Sequence, residues 1–296
     1  MSFSHKIRVG VLRGGPSPEY DVSLKTGGAV LANLPEEYEP LDIFISKDGE
    51  WHARGLQKNP YDILKTIDVA INAMHGAYGE DGTVQKILEH FHVPYTGSNS
   101  IASALSMNKK MTKEIFNRQG LKTPHHIVIN RDEKNLVGKI NESLPFPIII
   151  KPLNSGSSLG FSFVGKILDI KEALEKSFEH SAELLVEEYI EGKEVACGVI
   201  EDFRGQKYYT PLPIGNFSNE EKIQIQETAI LAHQILGLRH YSGSDFILHP
   251  KRGLFILETN TLPKLSHSFP FMKSLEATGG NIREFLTHLI SKTLTK

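Results

Sequence analysis

The stretch FPIIIKPLNSGSSLGFSFV, residues 146–164, decides how this chain folds. Phe146 to Lys151 is an apolar, β-branched run that reads as a strand. Asn154 to Gly160 is a loop of small residues, and Phe161 to Val164 reads as a strand again. Two strands joined by so short a loop form a hairpin and not a strand-to-helix crossover. Upstream the pattern is different. Ile7 to Leu12 reads as a short strand ending at Gly14-Gly15, and Val22 to Leu34 follows as a helix. Asp68 to Met74 is a second buried strand, ending at His75-Gly76. Thr83 to Phe91 sets Val84, Ile87, Leu88 and Phe91 at the i, i+3, i+4, i+7 spacing of a helix. That alternation predicts an α/β fold opening with a Rossmann-like parallel sheet, whose functional loops lie at the strand C-termini. Ser100 to Gln119 is predicted as one helix closed by Gly120.

Downstream of the hairpin, Asp169 to Phe178 reads as an amphipathic helix and Glu183 to Ile190 as a strand. Glu194 to Ile200 and Lys207 to Pro211 are strands, Glu220 to Leu236 a helix closed by Gly237, and Asn281 to Leu294 the last helix. Strands Ser244 to Leu248 and Leu254 to Asn260 flank the turn at Pro250 to Gly253. A loop centred between Lys251 and Arg252 places Asp245 opposite Glu258, and the strand period of two puts Asn260 on the face of Glu258. Two carboxylates and an amide oxygen on one face suit a hard cation such as Mg²⁺ bridging phosphates. From the hairpin alone, a solvated sheet face with both acids in water is the stronger reading.

The 296 residues carry 33 Lys and Arg against 35 Asp and Glu, a net charge of −2 that argues against a nucleic-acid binder or a polybasic membrane-surface protein. Cys197 is the only cysteine, which excludes an internal disulfide framework and a cysteine metal cluster. No stretch approaches the roughly 18 apolar residues of a spanning helix, and the N-terminus has no signal-peptide pattern. A cytoplasmic location is expected.

Three loops carry candidate chemistry. Lys151 followed by Ser155 to Gly160 could neutralise and wrap phosphates, although the Walker order is absent; a polar hairpin turn is the other reading. Gly14 and Gly15 allow a ligand close to the backbone beside Glu19. His75 opens a glycine-rich loop, HGAYGEDG, at a strand end. No G-x-G-x-x-G is present, which disfavours a dinucleotide cofactor.

In sequence order, GGPSPEYDVSL, HGAYGEDGTVQ, PYTGSNSIASALSMNKKMTK, IIIKPLNSGSSLG, VEEYIEGKEV and ETNTLP resemble the motifs of the D-alanine–D-alanine ligase family of ATP-grasp enzymes, over almost the whole chain. The resemblance implies a Rossmann-like lobe at 1–98 that binds substrate, a small ATP-grasp lobe at 99–188, and a C-terminal ATP-grasp lobe with the metal site at 189–296. It implies that Lys109 and Lys151 contact ATP and that Ser155, Gly156 and Ser158 lie in the loop over its phosphates. Glu187, Glu188, Tyr189 and Ile190 resemble the adenine hinge, and Glu194 the ribose-binding acid. Asp245, Glu258 and Asn260 match the family's ligands for Mg²⁺, which Mn²⁺ could replace. Glu19 resembles the acid that holds the first substrate's ammonium, Ser157 the serine linked to it, and His75 the histidine beside that substrate, with Gly15 in the same pocket. His267 and Ser268 resemble the segment that binds the second substrate's carboxylate.

The implied activity is ATP-dependent joining of two D-alanines through an acylphosphate, for peptidoglycan precursor synthesis and hence the cell wall and cell shape. The implied partners are small molecules, with a homodimer expected from the family and neither nucleic acid nor membrane. The chain departs from the family at three places. Gly243 stands where the family has an arginine two residues before the first metal ligand. Lys264 stands where the family has a glycine after Thr-x-Pro, with the segment 265–268 one residue short. The lid between Pro213 and Glu220 is almost absent. Lys264 is expected to supply positive charge near the missing arginine. These departures keep two alternatives open: a ligase for another amine or carboxylate, and a nucleotide-binding homologue with impaired catalysis.

Overall fold

The structure is a computed structural model and describes residues 6–154 and 160–295. The N-terminal elements are β1 (Ile7–Gly14), α1 (Tyr20–Asn33), β2 (Tyr38–Ile45), β3 (Trp51–Ala53), β4 (Leu56–Gln57), α2 (Pro60–Leu64), β5 (Val69–Asn72) and α3 (Thr83–His90). They build a sheet of order β4-β3-β2-β1-β5. Strand β1 pairs in parallel with both β2 and β5, as strand–helix alternation requires. Its Val9, Val11 and Leu12 are fully buried, the near-continuous apolar run of a strand covered on both faces. The edge differs from the sequence reading, because β3 and β4 add antiparallel strands outside β2. Strands this short and mixed in polarity have no period long enough to detect. Gly14 is required by the turn. Its φ is +92°, and a Cβ there would lie 2.2 Å from the Ile45 carbonyl oxygen.

Next come α4 (Ser100–Met107), α5 (Lys109–Arg118), β6 (His126–Asn130), α6 (Leu136–Ser143), β7 (Ile148–Pro152), β8 (Ser162–Val164), α7 (Ile170–Phe178) and β9 (Glu183–Glu188). Their sheet has the order β6-β9-β7-β8, and every pairing in it is antiparallel. Ile148 pairs with Val164 and Ile150 with Ser162, so 146–164 is the predicted hairpin. The single helix predicted from Ser100 to Gln119 is two helices. Asn108 takes an extended backbone, and its side-chain oxygen accepts from the Met111 N–H at 3.1 Å. An Asn side chain that competes for backbone donors favours a cap over a helix interior.

The last elements are β10 (Lys193–Phe203), β11 (Gln206–Tyr209), α8 (Asn219–Ile235), β12 (Tyr241–His249), β13 (Gly253–Asn260), α9 (Pro270–Ala277) and α10 (Ile282–Leu294). The sheet order is β11-β10-β12-β13. The Ser244 and Thr259 hydroxyls meet at 2.8 Å, a cross-strand contact in the register the turn at Lys251 and Arg252 predicts. Helix α8 starts at a full capping box between Ser218 and Glu221.

The chain forms two compact units: 1–104, 196–244 and 259–296 in the first, 105–195 and 245–258 in the second. The first is built on two apolar clusters. One joins Val9, Val11, Val69 and Ile71 to Tyr241, Phe271, Phe285 and Leu289; the other holds Leu12, Ile43, Trp51, Val84 and Leu88. The second unit packs Ile148, Ile150, Ile170, Leu184 and Val186 together. Among the described residues no helix is long and apolar enough to cross a membrane.

Candidate active site

In the second unit, strands β7 and β9 pair Ile149 with Glu187 and carry Lys151 beside them. The Lys151 ammonium lies 2.5 Å from one Glu187 oxygen, and the Lys113 ammonium 2.9 Å from the other. Lys113 also donates to the Thr123 hydroxyl at 2.7 Å. The Lys113 side chain is 1% exposed and that of Glu187 5%. Burial opposes ionisation of Glu187, but the two ammonium groups outweigh it and hold the carboxyl at about 2. Burial dominates at Lys113 and lowers its pKa. At Lys151 the carboxylates of Glu187 and Glu258 overcome burial and raise it. Two cations share one buried anion, with Glu258 within electrostatic reach of both. Lys113, Glu187 and Lys151 by themselves carry one excess positive charge in a low-dielectric setting, which suits a phosphate.

Asp245 and Glu258 are half-buried on β12 and β13, in the second unit, while the neighbouring Ser244 and Thr259 are buried. The alternation of the hairpin therefore turns both carboxylates away from Ser244 and Thr259. Asn260 ends β13 and is also half-buried. Within the second unit the hairpin offers two carboxylates, with no sulfur or imidazole, hard oxygen donors of the kind that suit Mg²⁺.

The first unit gathers a second set of ionisable groups. Glu19 precedes α1 and is 6% exposed. The Lys264 ammonium lies 3.2 Å from its Oε2 and 5.3 Å from the centre of the Phe269 ring. His75, 2% exposed, has its Nε2 2.8 Å from the Thr26 hydroxyl. Burial drives the His75 pKa down to about 3, with the Lys264 charge adding to it and a hydrogen bond to the Leu262 backbone opposing. Its imidazole is neutral at neutral pH. Glu80 accepts the Gly76 N–H at 2.7 Å. Burial pushes its carboxyl up to about 8 against that hydrogen bond, and the Glu19 charge raises it further.

Other predicted residues sit apart from these clusters or play a different part in them. Glu188 binds Arg252 through both oxygens, at 2.7 and 2.8 Å, and accepts the His125 N–H at 3.0 Å. Tyr189 is 42% exposed, with its ring edge-on to Phe163. Ile190 packs with Ile247 and Phe255. Glu194 is exposed, and Lys109 is half-buried at the first position of α5. Gly15 has φ +97°, and its N–H donates to the Ile45 carbonyl at 2.8 Å. His267 is exposed and ion-paired with Glu276, and Ser268 is exposed beside Ser266. Ser155, Gly156, Ser157 and Ser158 lie outside the described residues.

Comparison with known proteins agrees with this architecture. The family description "D-ala D-ala ligase N-terminus" matches residues 8–63 and 53–98, and "D-ala D-ala ligase C-terminus" matches 115–210 and 206–291. A D-alanine–D-alanine ligase of Trichlorobacter lovleyi is 36% identical over 88% of this chain and 86% of its own. The chain belongs to the D-alanine–D-alanine ligase family. A Bacillus anthracis D-alanine–D-alanine ligase, solved with ATP, superposes with a TM-score of 0.82 at 28% identity, covering 97% of each chain. A D-Ala:D-Ser ligase of Enterococcus faecalis superposes with a TM-score of 0.86 at 25% identity, over 98% of this chain and 100% of that one. The fold is therefore the α/β ATP-grasp fold of these ligases.

Against that family, the structure locates the departures. At Gly243 a Cβ would lie 3.2 Å from the Pro263 ring, so this part of β12 is closely backed. Pro211 to Ser218 runs without regular structure into α8. Lys264, expected to stand in for an arginine at position 243, is paired with Glu19. Sequence reasoning did not single out Lys113 or Glu80. Lys113 had a weak signal, as one of the two lysines of NKKMTK, with Lys109, that share a helix face at i, i+4 spacing. Glu80 had none, because nothing local distinguishes it from Asp81.

Proposed function

We propose that this chain is an ATP- and Mg²⁺-dependent D-alanine–D-alanine ligase, acting in the cytoplasm to supply the dipeptide used in peptidoglycan synthesis. The observation that carries the reading is the buried Lys113–Glu187–Lys151 cluster, which provides positive charge for phosphates in a chain of this family. Lys109 and Lys151 hold ATP phosphates, and 187–190 with Glu194 receive the nucleoside. Asp245 and Glu258 would hold Mg²⁺, which when bound would supply charge neutralisation for phosphoryl transfer. In this reading the chain has three lobes, 1–98, 99–188 and 189–296.

In the first step a D-alanine carboxylate oxygen attacks the γ-phosphorus and the bond to the β-phosphate oxygen breaks, giving an acylphosphate with ADP remaining bound. In the second step the amine of the other D-alanine attacks the acyl carbon and phosphate leaves with the electron pair of the broken C–O bond. Neutral His75 and Gly15 line the first substrate, beside Glu19. Catalysis here is alignment and charge compensation. The active form is a homodimer in this reading.

A ligase that joins D-alanine to a different amine is the second reading. Exposed His267, held by Glu276, favours it, since this segment is the one assigned to the second carboxylate. Phosphate release from Mg-ATP, measured with D-alanine alone and then with D-alanine plus other amines, tests both. Release with D-alanine and a dipeptide product is the expected result. Release that needs another amine selects the second reading, and none under any condition rejects both.

A further inference from the structure

We propose that Lys264 is a built-in ammonium that occupies one oxygen of Glu19, and so makes the first-substrate site accept a carboxylic acid without a free α-ammonium as readily as an α-amino acid. The proposal rests on the ligase reading of that site. Four observations, all within the first unit, lead to it. Glu19 is almost fully buried, so its carboxylate has little water to compensate it. Lys264 sits 3.2 Å from Oε2 and is steadied by the Phe269 ring. Oε1 is buried and has no hydrogen-bond partner among the described residues. It faces Gly76, where an added Cβ would lie 3.2 Å from Oε1 and 2.4 Å from the Ser17 hydroxyl. The site therefore presents one compensated oxygen and one buried acceptor without a hydrogen-bond partner, held close against the backbone of Gly76.

The charges around it sharpen the point. His75 is neutral at neutral pH, Glu80 is largely protonated, and Glu19 and Lys264 cancel. A substrate ammonium arriving at Oε1 meets a carboxylate already shared with another ammonium, and the two cations repel. A hydroxyl donor satisfies the same vacant acceptor without that repulsion. The chemical class favoured is a small 2-hydroxy acid, with its α-amino analogue as the competitor.

Calorimetric titration of the full chain with (R)-lactate and with D-alanine tests this, in the wild type, Lys264→Met and Lys264→Arg. The wild type is expected to bind (R)-lactate at least as tightly as D-alanine. Lys264→Met, which keeps the length and removes the charge, is expected to tighten D-alanine about tenfold and leave (R)-lactate within about twofold, the gain of one uncontested charged hydrogen bond. Lys264→Arg is expected to keep the wild-type ratio. Lys264→Gln serves the same purpose if the Met variant does not melt cooperatively. An unchanged ratio in the uncharged variant, weaker D-alanine binding in it, or no binding of either acid to the wild type overturns the proposal. Phosphate release with D-alanine is read separately. Release with an unchanged ratio sinks the Lys264 role alone, and a shifted ratio without release sinks the ligase reading alone.

Discussion

Each unit buries a glutamate against lysine, and the two do so with a different charge balance. In the second unit Glu187 answers two ammonium groups, so the cluster is one positive charge in excess. In the first unit Glu19 answers one, and its other oxygen is left without a partner. The difference teaches what each cluster can receive. An excess of buried cation calls for an anion such as phosphate, while a compensated acid with a vacant acceptor calls for a hydrogen-bond donor.

The largest expected effect breaks the comparison at Glu187. Glu187→Gln removes the carboxylate that pairs with Lys113 among the described residues and leaves that lysine buried beside Lys151. Removing one partner of a buried pair costs about 3–5 kcal/mol. Urea unfolding would show it as a lowered midpoint, with the loss shrinking when a saturating nucleotide supplies the missing anions. A loss under about 1 kcal/mol would show that the lysines find other partners. The wild-type pair also fixes a pH dependence. The Glu187 carboxyl is held below its ordinary value, so its stabilisation is complete above about 4.5 and is lost as pH falls toward 2.

Next in size is the metal pair. Asp245→Asn and Glu258→Gln each remove one charge from the proposed Mg²⁺ site. Each is expected to slow phosphate release by about 10²–10³ at saturating ATP, comparable to losing one electrostatic contact with a transition state. Raising Mg²⁺ should restore part of the rate, whereas a rate unaffected by either substitution assigns these acids to a solvated strand face.

Glu80 extends the comparison to pH. Its folded pKa, about 8, lies above the ordinary 4.5. Its contribution to stability is therefore full below about 4.5 and is lost as pH rises through 8, the reverse of Glu187. Glu80→Gln should flatten the decline of melting temperature between pH 5 and 8 while leaving the acid limb below pH 4 in place. Retention of the wild-type slope would place the titration on another group.

The sequence made much of this visible and some of it not. The hairpin at 146–164 was legible because its loop is too short for a crossover, and the Asp245–Glu258 register because a turn fixes pairing by symmetry. The break at Asn108 was hidden by continuous helical spacing on both sides, and only the cap chemistry of Asn marks it. Lys151 was legible at the end of an apolar strand. Its partner Lys113 lies 38 positions earlier, on a helix whose inward face depends on that break. The Lys264–Glu19 pair joins positions 245 residues apart, and no local pattern encodes which of two anionic or neutral neighbours a loop lysine will reach.

The smallest effect lies one residue from the largest. Glu187 and Glu188 are adjacent on β9 and point to opposite faces, which separates their fates. Glu188 takes a two-pronged bond from Arg252, at 2.7 and 2.8 Å, the geometry usually counted as strong. The Arg252 side chain, however, is 46% exposed, and its guanidinium already rests 4.7 Å from the centre of the Phe255 ring. Water and salt screen such a pair, so Arg252→Ala is expected to cost no more than about 1 kcal/mol. The Glu188 carboxylate keeps the His125 N–H at 3.0 Å after the arginine is gone, which limits the loss further. Unfolding of Arg252→Ala at low and at high salt measures it. The gap from wild type should narrow as salt rises, and a gap as large as that of Glu187→Gln would mean that burial is not what divides the two acids.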